Sequence, residues 1–207
     1  MNTYLHLFGA VMLFVLIEFA LFQSGLFAPV LSAVAGLPWM AVLGIFMVGS
    51  WLATRAAHTA TSMTAQYLAL GVYVGMWSLL FVIPLAYAMM YAPGAISSAA
   101  QVTVFGFAGL TAVAFTTRKD FSFLGAILKW IAVCAMLLIG AGLIFGFELG
   151  TFFSVGMVAF AGAAILYDTS NVIHHYPEDR YVGAALQLFA SVAMMFWYLL
   201  QIFSSRD

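Results

Sequence analysis

Seven long stretches of predominantly apolar residues run through the chain and leave few folds open to it. They cover residues near 4–24, 37–54, 63–87, 97–116, 122–146, 151–174 and 181–204. A helix that crosses a membrane needs about 20 such residues. Of the 207 residues, 66% are hydrophobic and 6% are charged, whereas a soluble domain is about 25% charged. We therefore predict an all-α integral membrane protein with seven transmembrane helices.

The connections between these stretches are short, so we expect residues 1–207 to form a single transmembrane domain. The net charge of −1 gives no reason to expect a nucleic-acid partner. The single cysteine, Cys134, excludes an internal disulfide and a cysteine-rich metal site. Intramembrane proteases need an Asp pair, a Ser/His pair or a zinc motif, and no such set occurs at a workable spacing. We therefore expect no enzyme, no bound metal and no cofactor.

The basic residues predict the orientation in the membrane. Arg55, Arg118, Lys119 and Arg180 fall in connections on the same side as the N-terminus, and Arg206 falls on the other side. Connections rich in Lys and Arg face the cytoplasm, so the N-terminus should be cytoplasmic and the C-terminus outside. The N-terminal stretch is apolar almost from its start and has no preceding basic region, which is typical of a first span rather than a cleaved signal.

Asp168 is a carboxylate inside the apolar run of the sixth stretch. A charged Asp at the centre of a membrane helix costs about 2.5–3.5 kcal/mol and is retained where protein or water surrounds it. Asn171 and His175 follow at spacings of three and four, so the three side chains share one helix face. We expect that face to look into the helix bundle or a wet cavity, with His175 a pH-sensitive neighbour of Asp168.

The polar residues of the seventh stretch also share one face. At alternating steps of four and three come Gln187, Ser191, Met194, Tyr198, Gln201 and Ser205. Such a stripe either forms hydrogen bonds that hold neighbouring helices together or lines a central path. The sequence leaves both alternatives open.

Two basic residues lie where they could neutralise Asp168. Lys129 is about 12 Å deep in the fifth stretch, close to the depth of Asp168, and Arg55 lies at the inner end of the second stretch. Lys129 could instead extend its long stem to the membrane surface. Glu18, among apolar neighbours in the first stretch, is either a neutral hydrogen-bond donor or a second, pH-sensitive acidic site. Asp120 should lie in a solvated connection and cap the next helix.

Two segments resemble the transmembrane Bax inhibitor motif family, in its bacterial Bax inhibitor-1-like branch. They are TTRKDFSFLG at 116–125, before the fifth helix, and ILYDTS at 165–170, followed by a seventh helix from Tyr181. The resemblance implies six helices surrounding a central C-terminal helix, in the bacterial inner membrane. It also implies either a pH-sensitive calcium leak channel or a link to the membrane AAA protease FtsH.

In that family, the aspartate at the place of Asp168 shares a proton with an aspartate on the last helix. An arginine near the end of the second helix can latch onto this pair. Here Ser191 stands at the second aspartate's place, and Arg55 matches the arginine approximately. A serine cannot share a proton as a carboxylate does, so we expect an altered pH gate. We expect Asp168 to stay ionised at neutral pH, to form a hydrogen bond with Ser191, and to have its charge balanced by Lys129 or Arg55.

The resemblance, together with these residues, leads us to expect a passive cation leak, with Ca²⁺ as the transported ion, through a lipid-embedded monomer. Hard cations prefer oxygen ligands, and these are supplied beside the last helix by Asp168, Asn171, Ser191, Gln187 and Tyr198. The alternative is a non-conducting modulator or client of FtsH. One observation speaks against this alternative. About three residues precede the first stretch, whereas an AAA protease needs a longer cytoplasmic segment to engage its client.

Overall fold

The computed structural model describes residues 2–60, 62–177 and 180–205, and within them the secondary structure is all helical. The helices are α1 (Asn2–Gln23), α2 (Phe27–Ala35), α3 (Trp39–Thr59), α4 (Met63–Tyr91), α5 (Ala95–Thr117), α6 (Leu124–Phe145), α7 (Gly150–His174) and α8 (Tyr181–Ser204). All except α2 are long and apolar enough to cross a membrane. The prediction of seven transmembrane helices is thereby confirmed. Arg206, used above for the orientation, lies outside the described residues.

The short helix α2 is the one element that the sequence did not predict. It has nine residues, none of them buried, and its length of about 13 Å cannot cross a membrane. Gly25 turns the chain before it with a positive φ of 75°. Pro29 lies in its first turn, where a missing N–H costs no helical hydrogen bond.

The connection between α5 and α6 corrects the expected role of Asp120. Arg118 ends α5 in the left-handed region, with φ of 49°, and its N–H donates to the Ala114 carbonyl. Asp120 does not cap α6, which begins at Leu124. Its Oδ1 instead accepts a hydrogen bond of 2.9 Å from the Ser122 N–H, because aspartate readily forms such a turn with the backbone two residues on.

The helices group into two compact units, and the prediction of a single domain over 1–207 stays a prediction. Unit 1 comprises Met1–Ala86 and Pro177–Phe189, and unit 2 comprises Tyr87–Tyr176 and Ala190–Asp207. Unit 1 has an aromatic core, in which the ring of Phe14 lies 5.1 Å from that of Phe81, edge to face.

The core of unit 2 is built from small and aliphatic residues. Ala99, Ala161 and Ile165 are fully buried, and Gly125 of α6 lies so near the ring of Tyr167 that an added Cβ would stand 2.9 Å from it. Small residues permit this close approach of helices in a membrane. In α8, no residue from 181 to 200 is exposed, and the arrangement of six helices around it stays a prediction.

Candidate functional site

Asp168 and Ser191 form a buried polar pair inside unit 2. The Ser191 hydroxyl donates a hydrogen bond of 2.7 Å to Oδ2 of Asp168. Asp168 is 8% exposed and Ser191 is 6% exposed. Both lie in helices that can cross a membrane, where an unsatisfied carboxylate would be costly. The contact between Asp168 and the last helix, expected from the sequence, is present.

The hydrophobic period of α7 explains why Asp168 points inward. Steps of three and four along one face give a buried stripe, formed by Ser154, Met157, Ala161, Ile165 and Asp168. Asp168 continues this stripe and is therefore carried toward α8 with it. Thr169 and Ser170, the next two residues, are fully buried as well.

A second polar pair joins the same two helices. The Ser154 hydroxyl donates to Oε1 of Gln201 at 3.2 Å, and Ser154 is 6% exposed. Gln201 belongs to the polar stripe of the last helix, whereas Ser154 was not predicted as a site residue. The sequence spacing could have predicted it, because Ser154 lies almost four helical turns before Asp168 and therefore on the same face of α7.

The expected ion pair between Asp168 and a basic residue is absent from the described residues. Lys129 is exposed on α6, which agrees with the alternative in which its stem reaches for the membrane surface. Arg55 is also exposed, and its guanidinium carbon lies 5.4 Å from the centre of the Trp51 ring. Neutralisation of Asp168 by these cations stays a prediction.

His175 lies beside a different carboxylate from the one expected. Helix α7 ends at His174, so His175 leaves the face that carries Asp168. Its Nε2 lies 3.6 Å from Oδ2 of Asp120, and this contact is an ion pair when His175 is protonated. The Phe121 N–H donates a hydrogen bond of 2.9 Å to the Ser170 hydroxyl. This bond holds the connection between α5 and α6 against the end of α7.

Tyr176, just beyond α7, is affected by the buried carboxylate. Burial raises the pKa of its hydroxyl, and the charges of Asp168 and Tyr167 raise that pKa further. Tyr176 is therefore a neutral hydroxyl at physiological pH.

The other residues predicted to line a path have different surroundings. Asn171 is half-buried on α7. The ring of Tyr198 lies 6.0 Å from that of Phe153. Gln187 belongs to unit 1, where its amide nitrogen lies 3.2 Å from Nε2 of His58. Their role in ion passage stays a prediction.

In unit 1, the side chain of Arg180 forms hydrogen bonds with the end of α3, and the sequence did not predict them. Nη1 of Arg180 donates to the carbonyl oxygens of His58 at 2.5 Å and Ala60 at 3.2 Å. A cation at the C-terminal end of α3 also complements the helix dipole. The sequence could not predict these hydrogen bonds, because Arg180 and His58 are 122 positions apart in the chain.

Glu18 is a buried carboxyl in unit 1. It is 7% exposed, and neither of its oxygens has a hydrogen-bond partner among the described residues. Neither predicted role, as a donor to another helix or as a second acidic site, is tested by this geometry.

The pair of Asp168 and Ser191 offers one carboxylate and one hydroxyl to a cation. Ca²⁺ takes six to eight oxygen ligands in a storage site, so two side chains can hold it only in passing. In the described part of the chain, no three His, Cys, Asp or Glu side chains come together as a metal site would require.

Comparison with known proteins agrees with the resemblance seen in the sequence. An uncharacterized protein of Pseudomonas aeruginosa is 41% identical over 114 residues, which are 52% of this chain and 49% of that protein. The modulator of FtsH protease YccA of Escherichia coli is 37% identical over 102 residues, 47% of this chain and 45% of its own length. Bax inhibitor 1 of Schizosaccharomyces pombe is 33% identical over 113 residues, 52% and 41% of the two chains.

These matches span about half the length of the relatives. A family model covers much more of the chain. The model described as inhibitor of apoptosis-promoting Bax1 matches residues 1–207. On this match over its whole length, the chain belongs to the Bax inhibitor-1 family of membrane proteins.

Proposed function

We propose that this protein provides a slow, passive leak for cations, Ca²⁺ among them, along the seam between α7 and α8 in unit 2. The observation that carries the proposal is the buried hydrogen bond between Ser191 and Asp168. An acidic residue that faces the interior of a membrane-crossing bundle typically marks an ion or proton pathway.

Two features of unit 2 support a path rather than a purely structural contact. Asp168 has a neutral donor in Ser191 but no ion pair within the described residues, so its charge remains available to a cation. The pair of Ser154 and Gln201 adds oxygen atoms further along the same two helices. Cation pathways commonly use rings or pairs of such oxygens.

The proposal includes the placement of the protein in the bacterial inner membrane with a cytoplasmic N-terminus. It is supported by Arg118 and Lys119 in the connection between α5 and α6, and by Arg55 in the last turns of α3, all on the N-terminal side. The protein would act as a monomer without an enzymatic activity or a bound cofactor. Cysteine labelling of single sites in intact cells tests the orientation.

Flux from liposomes tests the leak directly. Purified wild-type protein in liposomes should release trapped Ca²⁺, and Asp168→Asn should slow this release at least several-fold. Glu148→Gln is the matched control, because it removes the same charge from an exposed carboxyl outside the membrane helices. Equal release from Asp168→Asn and wild type would contradict the role of Asp168, and no release from wild type would contradict the leak itself.

The altered pH gate has its own test. Ser191→Asp places a second carboxylate beside Asp168, and two carboxylates so close cannot both ionise. We expect the Ca²⁺ release of this variant to depend more steeply on pH between about 6 and 8 than that of the wild type. Identical pH profiles would show that the serine is not what alters the gate.

A second candidate function is modulation of the membrane protease FtsH. It is favoured by the similarity to YccA of Escherichia coli, whose name describes it as a modulator of that protease. Co-purification of FtsH with the tagged protein, and a change in FtsH proteolysis on its addition, would support this role. Under the leak proposal, Asp168→Ala changes the Ca²⁺ flux and leaves the protease activity unaffected.

A further inference from the structure

The side chain of Met195 fills the space where three helices of unit 2 meet. Met195 is on α8 and is 4% exposed. A Cβ added to Gly106 of α5 would stand 3.3 Å from its sulfur, and one added to Gly162 of α7 would stand 3.6 Å from its terminal methyl. The thioether therefore lies directly against the backbones of both helices.

This contact lies between the two polar pairs of the α7–α8 seam. Met195 is one turn beyond Ser191, about 6 Å along α8, and Gln201 is about 9 Å further on. On α7, Gly162 is about 9 Å from Asp168 and about 12 Å from Ser154. Along the axes of α7 and α8, Met195 therefore lies at a depth between the two polar pairs.

Apolar side chains lie beside Gly162, against which Met195 packs. Ala161 and Ile165 on α7 are fully buried, and the Cδ1 atom of Leu110 lies 3.3 Å from the Cβ position of Gly162. Such groups offer no replacement for the water that a cation carries, so a narrow apolar passage excludes ions by dewetting. Methionine has three rotatable side-chain bonds, so its thioether can clear the space without movement of a helix.

We propose that Met195 is the hydrophobic constriction of the cation path and limits the leak by occupying the space between Gly106 and Gly162. This inference rests on the proposed leak and adds the residue that sets its rate. The path is then a polar pair at each end with a movable apolar side chain between them.

Substitution of Met195 tests the constriction in the same liposomes. Met195→Ala removes the thioether and should raise Ca²⁺ release at least several-fold. Met195→Leu keeps the volume and apolar character and should stay near the wild-type rate. Met195→Gln keeps the length but adds a polar group, so it should also raise release without opening a cavity. Met136→Ala, at a methionine 48% exposed on α6, is the matched control and should leave the rate unchanged.

The results separate the two proposals. If the wild type leaks, Asp168→Asn leaks less and both Met195→Ala and Met195→Gln equal the wild type, the constriction is overturned and the leak stands. If neither the wild type nor any Met195 variant releases Ca²⁺, the leak is overturned and the constriction with it. A leak that is strongly increased in Met195→Gln and unchanged in Met195→Leu supports both.

Discussion

The Ser191 hydroxyl donates a hydrogen bond of 2.7 Å to the Asp168 carboxylate across 23 residues of sequence. It joins α7 and α8 at a buried position inside unit 2. A carboxylate in this position needs a donor, because an unsatisfied buried acceptor costs about 1–3 kcal/mol. The stability of the protein should therefore respond to loss of the serine hydroxyl.

Ser191→Ala should lower the free energy of unfolding by about 1–3 kcal/mol, because it leaves the Asp168 carboxylate without its donor. Denaturant titration of the protein in detergent micelles measures this loss. Ser97→Ala is the control: Ser97 is exposed, and among the described residues its hydroxyl bonds only to the Gly94 carbonyl at the start of its own helix. A loss no greater than that of the control would mean that Asp168 finds another donor.

Gly125→Ala should destabilise the protein by about 1–3 kcal/mol through overpacking. The added methyl would stand 2.9 Å from a ring carbon of Tyr167 and 3.0 Å from its hydroxyl oxygen. Gly140→Ala in the same helix meets no atom within 4 Å and should be neutral or stabilising by up to about 1 kcal/mol, since alanine is the better helix former. Thermal unfolding of both variants in one detergent tests the difference.

Arg180→Gln should weaken the end of α3, because hydrogen bonds from a charged group contribute about 1.5–3 kcal/mol each. The variant leaves the carbonyl oxygens of His58 and Ala60 without this donor. Amide hydrogen exchange in the last turn of α3 should become faster. Lys119→Gln removes one exposed positive charge and should leave that exchange unchanged, so equal effects would point to a general charge effect.

Asp120→Asn should change how stability depends on pH. The hydrogen bond from the Ser122 N–H holds the pKa of the Asp120 carboxyl below its ordinary value. A folded-state pKa below the unfolded value of about 3.9 stabilises the protein above that value, and this stabilisation disappears as the pH falls through the folded-state pKa. The variant should melt below the wild type at pH 7, and the two melting temperatures should converge in acid.

Thermal scans from neutral to acidic pH measure this convergence. Glu148→Gln removes the same charge from an exposed carboxyl with no hydrogen bond among the described residues and should give a smaller pH-dependent difference. A constant offset between wild type and Asp120→Asn at every pH would show that the carboxylate charge is not responsible.

Length and hydropathy were enough to predict the transmembrane helices, because in lipid the backbone must satisfy its own hydrogen bonds. The partnership of Asp168 with Ser191 was also predictable, since the resemblance puts Ser191 at the place of the aspartate that pairs with Asp168 in the family. The exposure of Lys129 was not predictable, because it depends on which face α6 turns toward the lipid. The partner of His175 depends on the residue at which α7 ends, and helix ends are uncertain by one or two residues.

The short helix α2 has a consequence of its own. It carries no buried residue, its sequence FAPVLSAVA has a single polar side chain, and the bilayer is therefore its natural packing surface. A helix about 13 Å long cannot tilt to compensate for hydrophobic mismatch as a full span can. The helical order of α2 should therefore depend on lipid chain length. In thick bilayers it should lie within the hydrocarbon, in thin ones it should lie among the headgroups, and in micelles its ends should unfold.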